Sequence, residues 1–157
     1  MEKIWDPLRR IDVALTPEER VRQWFISLLR DSAQVPLHQM MSEVELALVT
    51  GAKADANAGA GRRTSRRYRA DIVVYGRGGK PLAVVECKRP DVGLSQKTLE
   101  QALRYGALLD VPFLFLTNGR ATYICRRSRS ESGDLSYEFL DQAPTYDQML
   151  TANGVTD

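Results

Sequence analysis

The sequence predicts a single α/β domain, and three stretches from its middle carry that expectation. Arg69-Ala-Asp71-Ile-Val-Val-Tyr75 and Leu82-Ala-Val-Val-Glu86-Cys-Lys88 are rich in Val, Ile and Tyr, and Gly76-Arg-Gly-Gly-Lys-Pro81 between them carries turn chemistry. They read as two strands joined as a hairpin. Pro90 breaks the second strand, and from Ser95 onward Leu99, Ala102, Leu103, Gly106 and Leu109 recur at helical spacing. Val111-Pro-Phe-Leu-Phe-Leu-Thr117 is then a continuous apolar run, the pattern of a strand buried on both faces.

The other elements follow in chain order. Thr16 with Glu19 three residues on forms a capping box, and Pro17 suits the first helical position. Val21, Trp24, Phe25, Leu28 and Leu29 make an apolar stripe that fixes this helix against a sheet. Glu19 is read first as a capping residue, with Glu18 or Glu19 extending an acidic cluster as the alternative. Residues 51–61 are Ala, Gly, Asn and Asp without apolar periodicity, and Arg62-Arg-Thr-Ser-Arg66-Arg-Tyr-Arg69 follows, giving a mobile basic arm over about 51–67. Asn118-Gly119 reads as a hairpin turn, residues 120–126 as the returning strand, 136–140 as an edge strand, 146–150 as a final helical turn or two, and 153–157 as a fraying tail.

Composition bounds the function. The 157 residues are 43% hydrophobic and 27% charged, ordinary globular values for one domain with a real core. The formal net charge is +2, so any affinity for nucleic acid rests on local arginine clusters and falls with salt. A single histidine, His38, excludes a Ser-His-Asp triad or a zinc site of ordinary spacing and reads as a surface residue. Cys87 and Cys125 read as buried free thiols. No leader peptide or membrane-length apolar run is visible, which places the domain in a cytoplasm.

The chemistry concentrates at the end of the hairpin. Side chains alternate along a strand, so Glu86 and Lys88 share one face, Val85 and Cys87 point the other way, and Asp71 arrives from the neighbouring strand. A Glu-x-Lys on its own is most often a solvated strand face. Here it follows four apolar residues, and charges at the end of a buried strand cost free energy unless paired or metal-bound. Mg²⁺ takes about six oxygens at about 2.0 Å and keeps several waters, so Asp71, Glu86 and the backbone carbonyl of Cys87 make a plausible open site, with Mn²⁺ as substitute. Lys88 then orients the attacking water or stabilises the transition state of phosphodiester hydrolysis. Gln101 and Tyr105, at i and i+4, present neighbouring polar tips on one helix face. Arg62, Arg63, Arg66, Arg67 and Arg69 either clamp DNA phosphates, with Tyr68 stacking, or form a solvated charged loop.

These residues carry a resemblance. Asp71, Glu86-Cys-Lys88 and Gln101-Ala-Leu-Arg-Tyr105 resemble the PD-(D/E)xK nuclease superfamily with the Q-x-x-x-Y extension of RecB-like nucleases. Together with Pro17-Glu-Glu-Arg-Val-Arg-Gln23, Pro36 followed by Glu43, Glu86-Cys-Lys-Arg-Pro90 and Leu116-Thr-Asn-Gly119, they are similar to the N-terminal nuclease domain of type I restriction enzyme R subunits. The resemblance implies a restriction-endonuclease-like core (αβββαβ), a mixed sheet flanked by helices, over about residues 16–144 of one domain spanning 1–157. It implies Asp71 and Glu86 as metal ligands, Lys88 as the catalytic lysine, Gln101 and Tyr105 as residues holding the site or the DNA, and Glu43 as a further metal contact. Ala70 stands where the motif's naming proline falls, and no Gly-x-x-x-x-Gly-Lys-Ser/Thr phosphate loop is present. The expectation is therefore a Mg²⁺-dependent endodeoxyribonuclease without its own motor, free-standing or working with restriction-system subunits in trans. Double-strand cutting would require a homodimer or sequential nicks. The alternative is a catalytically weak module that binds nucleic acid or a partner.

Overall fold

A computed structural model describes residues 1–48 and 67–152. Its centre is a six-stranded sheet of β3 (Met40–Ala47), β4 (Arg67–Tyr75), β5 (Pro81–Cys87), β6 (Phe113–Thr117), β7 (Thr122–Arg129) and β8 (Leu135–Leu140), lying side by side in that order. Neighbours are antiparallel except β5 and β6, which run parallel. A parallel pair needs a crossover, and α2 (Gln96–Leu109) supplies it. α1 (Pro17–Asp31) and α3 (Tyr146–Ala152) complete the α-helices of the described residues. This is the α/β fold with a mixed sheet flanked by helices.

Burial on both faces explains why the central strands read as unbroken apolar runs. Ile72, Val85, Phe113 and Phe115 pack on one face with Phe25 and Leu29 of α1 and Met149 of α3. Val73, Val84, Leu114 and Leu116 pack on the other with Leu99, Ala102 and Leu109 of α2. Ser95 caps α2 by accepting the Thr98 N–H at 3.2 Å. None of the described helices is long and apolar enough to cross a membrane.

Several details differ from the sequence-based expectation. The core face of α1 is Val21, Phe25, Ile26 and Leu29, while Leu28 is half-buried and Trp24 is 44% exposed. The helix is rotated because Glu19, Arg22 and Gln23 also turn inward. The capping box forms only half: Thr16 Oγ1 accepts the Glu19 N–H at 3.0 Å, but the Thr16 N–H donates to the carbonyl of Ala14. Residues preceding α1, assigned no element from the sequence, form a hairpin of β1 (Lys3–Asp6) and β2 (Ile11–Ala14). The basic arm lies outside the described residues apart from Arg67, which opens β4, and the 153–157 tail lies outside them entirely.

The returning strand starts at Thr122 rather than at Arg120 because of Asn118. Its Oδ1 accepts the N–H groups of Arg120 and Ala121, both at 2.8 Å, and Gly119 takes a φ of 86° in the left-handed region. The Asn118 amide also donates to the Val92 carbonyl at 2.8 Å, tying this turn to the segment after β5. Asn118→Ala is expected to lower unfolding free energy by about 2 kcal/mol in denaturant titrations, since it strips partners from a buried turn. Asn118→Asp, which keeps the acceptor and loses the donor, is expected to cost less.

Candidate active site

The site forms where β4 and β5 stop pairing. Their register runs from Tyr75↔Pro81 to Ile72↔Val85, and beyond it, one residue on along β4 and two along β5, the Cys87 N–H donates to Asp71 Oδ2 at 2.6 Å. A side chain thus takes the place of a ladder carbonyl and holds the Asp71 carboxylate against β5. On its other side β5 stays paired with β6 through Cys87↔Thr117, and the Lys88 N–H donates to the Thr117 carbonyl at 2.8 Å. Glu86 and Lys88 therefore stand on a fixed backbone. Lys88 Nζ lies 3.3 Å from Glu86 Oε1, and the Tyr68 hydroxyl donates to Glu86 Oε2.

Across from these groups α2 presents the Gln101–Tyr105 pair. The Tyr105 and Tyr68 rings are 4.7 Å apart between centroids at an interplanar angle of 33°. A cavity of about 190 Å³ is lined by Glu86, Lys88, Gln101, Tyr105, Tyr68 and Thr98. A second, of about 350 Å³, shares Gln101 and Tyr105 and adds Arg67 and Arg104. The structure thus brings Glu86, Lys88, Gln101 and Tyr105 around one volume and sets Arg67 beside it. Arg104 is an addition; its only sequence signal is its place inside the Gln101–Tyr105 turn, three residues after Gln101.

Other expected residues are placed differently. Tyr68, read as a stacking residue for nucleic acid, is committed to Glu86 and Tyr105, because β4 turns it towards α2. Burial, followed by the Glu86 charge, raises the pKa of its hydroxyl, so it remains a donor. Arg69 pairs with Glu43 at 2.7 Å. Arg62, Arg63 and Arg66 lie outside the described residues.

Glu43, expected as a further metal contact, is engaged by arginines. It faces the Asp71 position between the pairs Ser42↔Ile72 and Val44↔Ala70, with a φ of 53° that a non-glycine residue rarely adopts. Its carboxylate is held by Arg9 at 3.3 Å, Arg22 at 3.1 Å and Arg69 at 2.7 Å. Burial works to raise its pKa, but these guanidiniums hold it below the usual value. Among the described residues no three His, Cys, Asp or Glu side chains gather as a metal cage. The expected ligands Asp71 and Glu86 stand as a pair of carboxylates on neighbouring strands.

Sequence reasoning missed the arginines behind that pair. Arg22, 5% exposed, lies 3.6 Å from Glu19 and 3.6 Å from Asp71, besides its contact with Glu43. Its buried Nε and Nη1 meet Glu19 and Glu43 at ion-pair distance without hydrogen-bond geometry. Arg9 pairs with Asp6, with Glu19 at 2.8 Å and with Glu43. Glu19 therefore belongs to a buried ionic cluster, and its capping role is confined to its backbone N–H.

Asp71 is the group this arrangement leaves short of positive charge. Burial, reinforced by the Glu86 charge, pushes its pKa up to about 7, against the Cys87 N–H and Arg22. Two neighbouring carboxylates that repel, both hard oxygen donors, fit a small divalent cation such as Mg²⁺ or Mn²⁺. The Cys87 carbonyl is a further candidate oxygen.

A mixed sheet flanked by helices, with Asp71 and Glu86-Cys-Lys88 at its strand ends and Gln101 and Tyr105 on the facing helix, defines a restriction-endonuclease-like domain. Residues 17–144 match the family described as type I restriction enzyme R protein N terminus (HSDR_N), and the chain belongs to that family. It is 43% identical over 77 residues to the type I restriction enzyme EcoAI endonuclease subunit of Escherichia coli, a match covering 48% of this chain and 9% of the relative. A fragment assigned as an HsdR subunit of a type I restriction enzyme from Vibrio vulnificus YJ016 shares the fold, with a TM-score of 0.55 and 19% identity over 89% of this chain and 26% of that one. The chain thus spans a small part of the length of both.

A carboxyl with a raised folded-state pKa binds its proton more tightly in the native state, so its contribution to stability is present at low pH and lost as pH rises through about 7. Asp71→Asn should therefore raise the melting temperature of the metal-free protein at pH 8 and change it far less at pH 5. Thermal melts in chelator at the two pH values check this.

Proposed function

We propose that the domain is a metal-dependent endodeoxyribonuclease that hydrolyses DNA phosphodiester bonds as the nuclease part of a type I restriction system. The observation that carries this reading is the meeting of Asp71, Glu86 and Lys88 at the end of one buried hairpin, with Asp71 held at about 7 by burial and Glu86. Asp71, Glu86 and the Cys87 carbonyl would hold Mg²⁺ or Mn²⁺. The bound ion would lower the pKa of a coordinated water and offset charge building on the phosphate.

The remaining work falls to this chain's own groups. Lys88 lies on the cavity side of Glu86, where its ammonium can orient the attacking water or stabilise the charge of the phosphorane transition state. Tyr68 holds one oxygen of Glu86 and leaves the other towards Lys88. Gln101 and Tyr105 border both cavities, and Arg67 and Arg104 beyond them suit the phosphates of a strand leading to the site. Relatives named as restriction-enzyme subunits support partners in trans. Double-strand cutting would take a homodimer or two successive nicks.

A second reading is a binding module of a restriction system with slow or no turnover, favoured by the commitment of Glu43 to three arginines. Nicking of supercoiled plasmid separates the two. With Mg²⁺ or Mn²⁺ the purified domain should nick, and Lys88→Ala should lower the rate by about 100-fold or more. Equal background in both proteins, with DNA binding indifferent to chelator, would leave the binding module. Calorimetry should also show Mn²⁺ binding by the domain, with the heat lost in Asp71→Ala.

A further inference from the structure

The chain contains two tryptophans, and both stand in the open at one place. Trp5 is 55% and Trp24 44% exposed, and they line a single groove of about 400 Å³ between the N-terminal hairpin and α1. On α1 the groove side runs through Arg20, Gln23 and Trp24, spaced i, i+3 and i+4, and continues to Arg30. Arg30 is held by Asp31 at 2.8 and 3.1 Å. Arg20 is exposed and forms no ion pair among the described residues.

The exposure of Trp5 is built in. Strand alternation sets it opposite its neighbour Asp6, which is 0% exposed and accepts the Leu8 N–H at 2.8 Å and the Arg9 side chain. Arg9 then ties the hairpin to Glu19 and Glu43. A buried ionic anchor on one side of β1 holds an indole out to solvent on the other. This hairpin precedes residues 17–144, so the family match does not account for it.

We propose that this groove binds single-stranded nucleic acid, with bases stacked on Trp5 and Trp24 and the backbone phosphates drawn by Arg20. Indole faces accept any base, whereas a duplex hides its base faces, so the occupant is an unpaired strand. Charge complementarity favours it over an apolar peptide: Arg20 beside the indoles has no ion-pair partner among the described residues, so it and Lys3, on the Trp5 side of the hairpin, outweigh Asp12 opposite Trp5, and phosphate is their natural counterion. The site stands independently of hydrolysis and would hold a strand even if the Asp71–Glu86 site were inert.

Because no other tryptophan exists in the chain, selective tryptophan fluorescence reports on this groove alone. Titrations use the full chain in chelator on the Lys88→Ala background, so that failure of the groove and failure of the nuclease are separate results. Oligo-dT is expected to quench the fluorescence saturably, less at higher salt, while a duplex of the same length leaves it unchanged. Arg20→Glu, an exposed change that keeps both indoles, should weaken this binding about ten-fold, and Trp24→Ala by a similar factor. An oligo-U arm separates ribose from deoxyribose strands, and quenching by either supports the groove. Three results would overturn it: oligo-dT binding seen by anisotropy without a fluorescence change, quenching indifferent to Arg20→Glu, or a nucleic-acid-free, concentration-dependent fluorescence change accompanied by dimer formation in sedimentation.

Discussion

Carboxylates from three elements converge on one buried guanidinium, and the geometry of this end of the molecule depends on it. Arg22 of α1 lies 3.6 Å from Glu19 on its own helix, 3.1 Å from Glu43 on β3 and 3.6 Å from Asp71 on β4. The apolar face of α1 allows the helix to slide or roll over a sheet of Val, Ile and Phe side chains. The ionic contacts do not. Removing Arg22 would leave the Glu19 and Glu43 charges short of their partner at a cost of about 3–5 kcal/mol, comparable with a large part of a domain's stability. Arg9 extends the same constraint to the N-terminal hairpin through Asp6, Glu19 and Glu43.

The cluster divides its charge unevenly, and that division marks the site. Asp6 and Glu43 are opposed by burial yet held below their usual pKa by arginine partners. Asp71, equally part of the cluster, moves the other way, to about 7, because burial and Glu86 outweigh its share of Arg22. Acidic side chains within one network thus shift in opposite directions according to whether a guanidinium or a second carboxylate is the nearer neighbour. A place where buried negative charge is left uncompensated is where a fold has room for a cation.

Most of the fold was legible from the sequence because its strands are buried on both faces. That burial demands continuous apolar runs, and residues 72–74, 82–85 and 113–116 supply them. The spacing of Leu99, Ala102, Gly106 and Leu109 likewise placed α2, and with it Gln101 and Tyr105. The N-terminal hairpin was not legible: its strands are short, and they expose Trp5 and Ile11 while burying Asp6, the reverse of the pattern that signals a strand. Arg22 was hidden for a related reason. A charged residue on an amphipathic helix belongs by default to the wet face, and only the arrival of Glu43 and Asp71 from distant strands reverses that.

Tyr68 shows how local pattern and tertiary geometry separate at the site itself. In sequence it sits within a basic run, where an aromatic ring suggests stacking on a base. In the fold the alternation of β4 turns it to α2, where its ring meets Tyr105 and its hydroxyl meets Glu86. One residue then links β4, β5 and α2 across the cavity. Burial and the Glu86 charge keep the phenol protonated, so the bond can run only from tyrosine to carboxylate and one Glu86 oxygen is spoken for. The other faces Lys88 at 3.3 Å. Glu86 therefore enters the site with its orientation fixed from behind, as Asp71 is fixed by the Cys87 N–H, and both carboxylates owe their aim to neighbours rather than to their own strands.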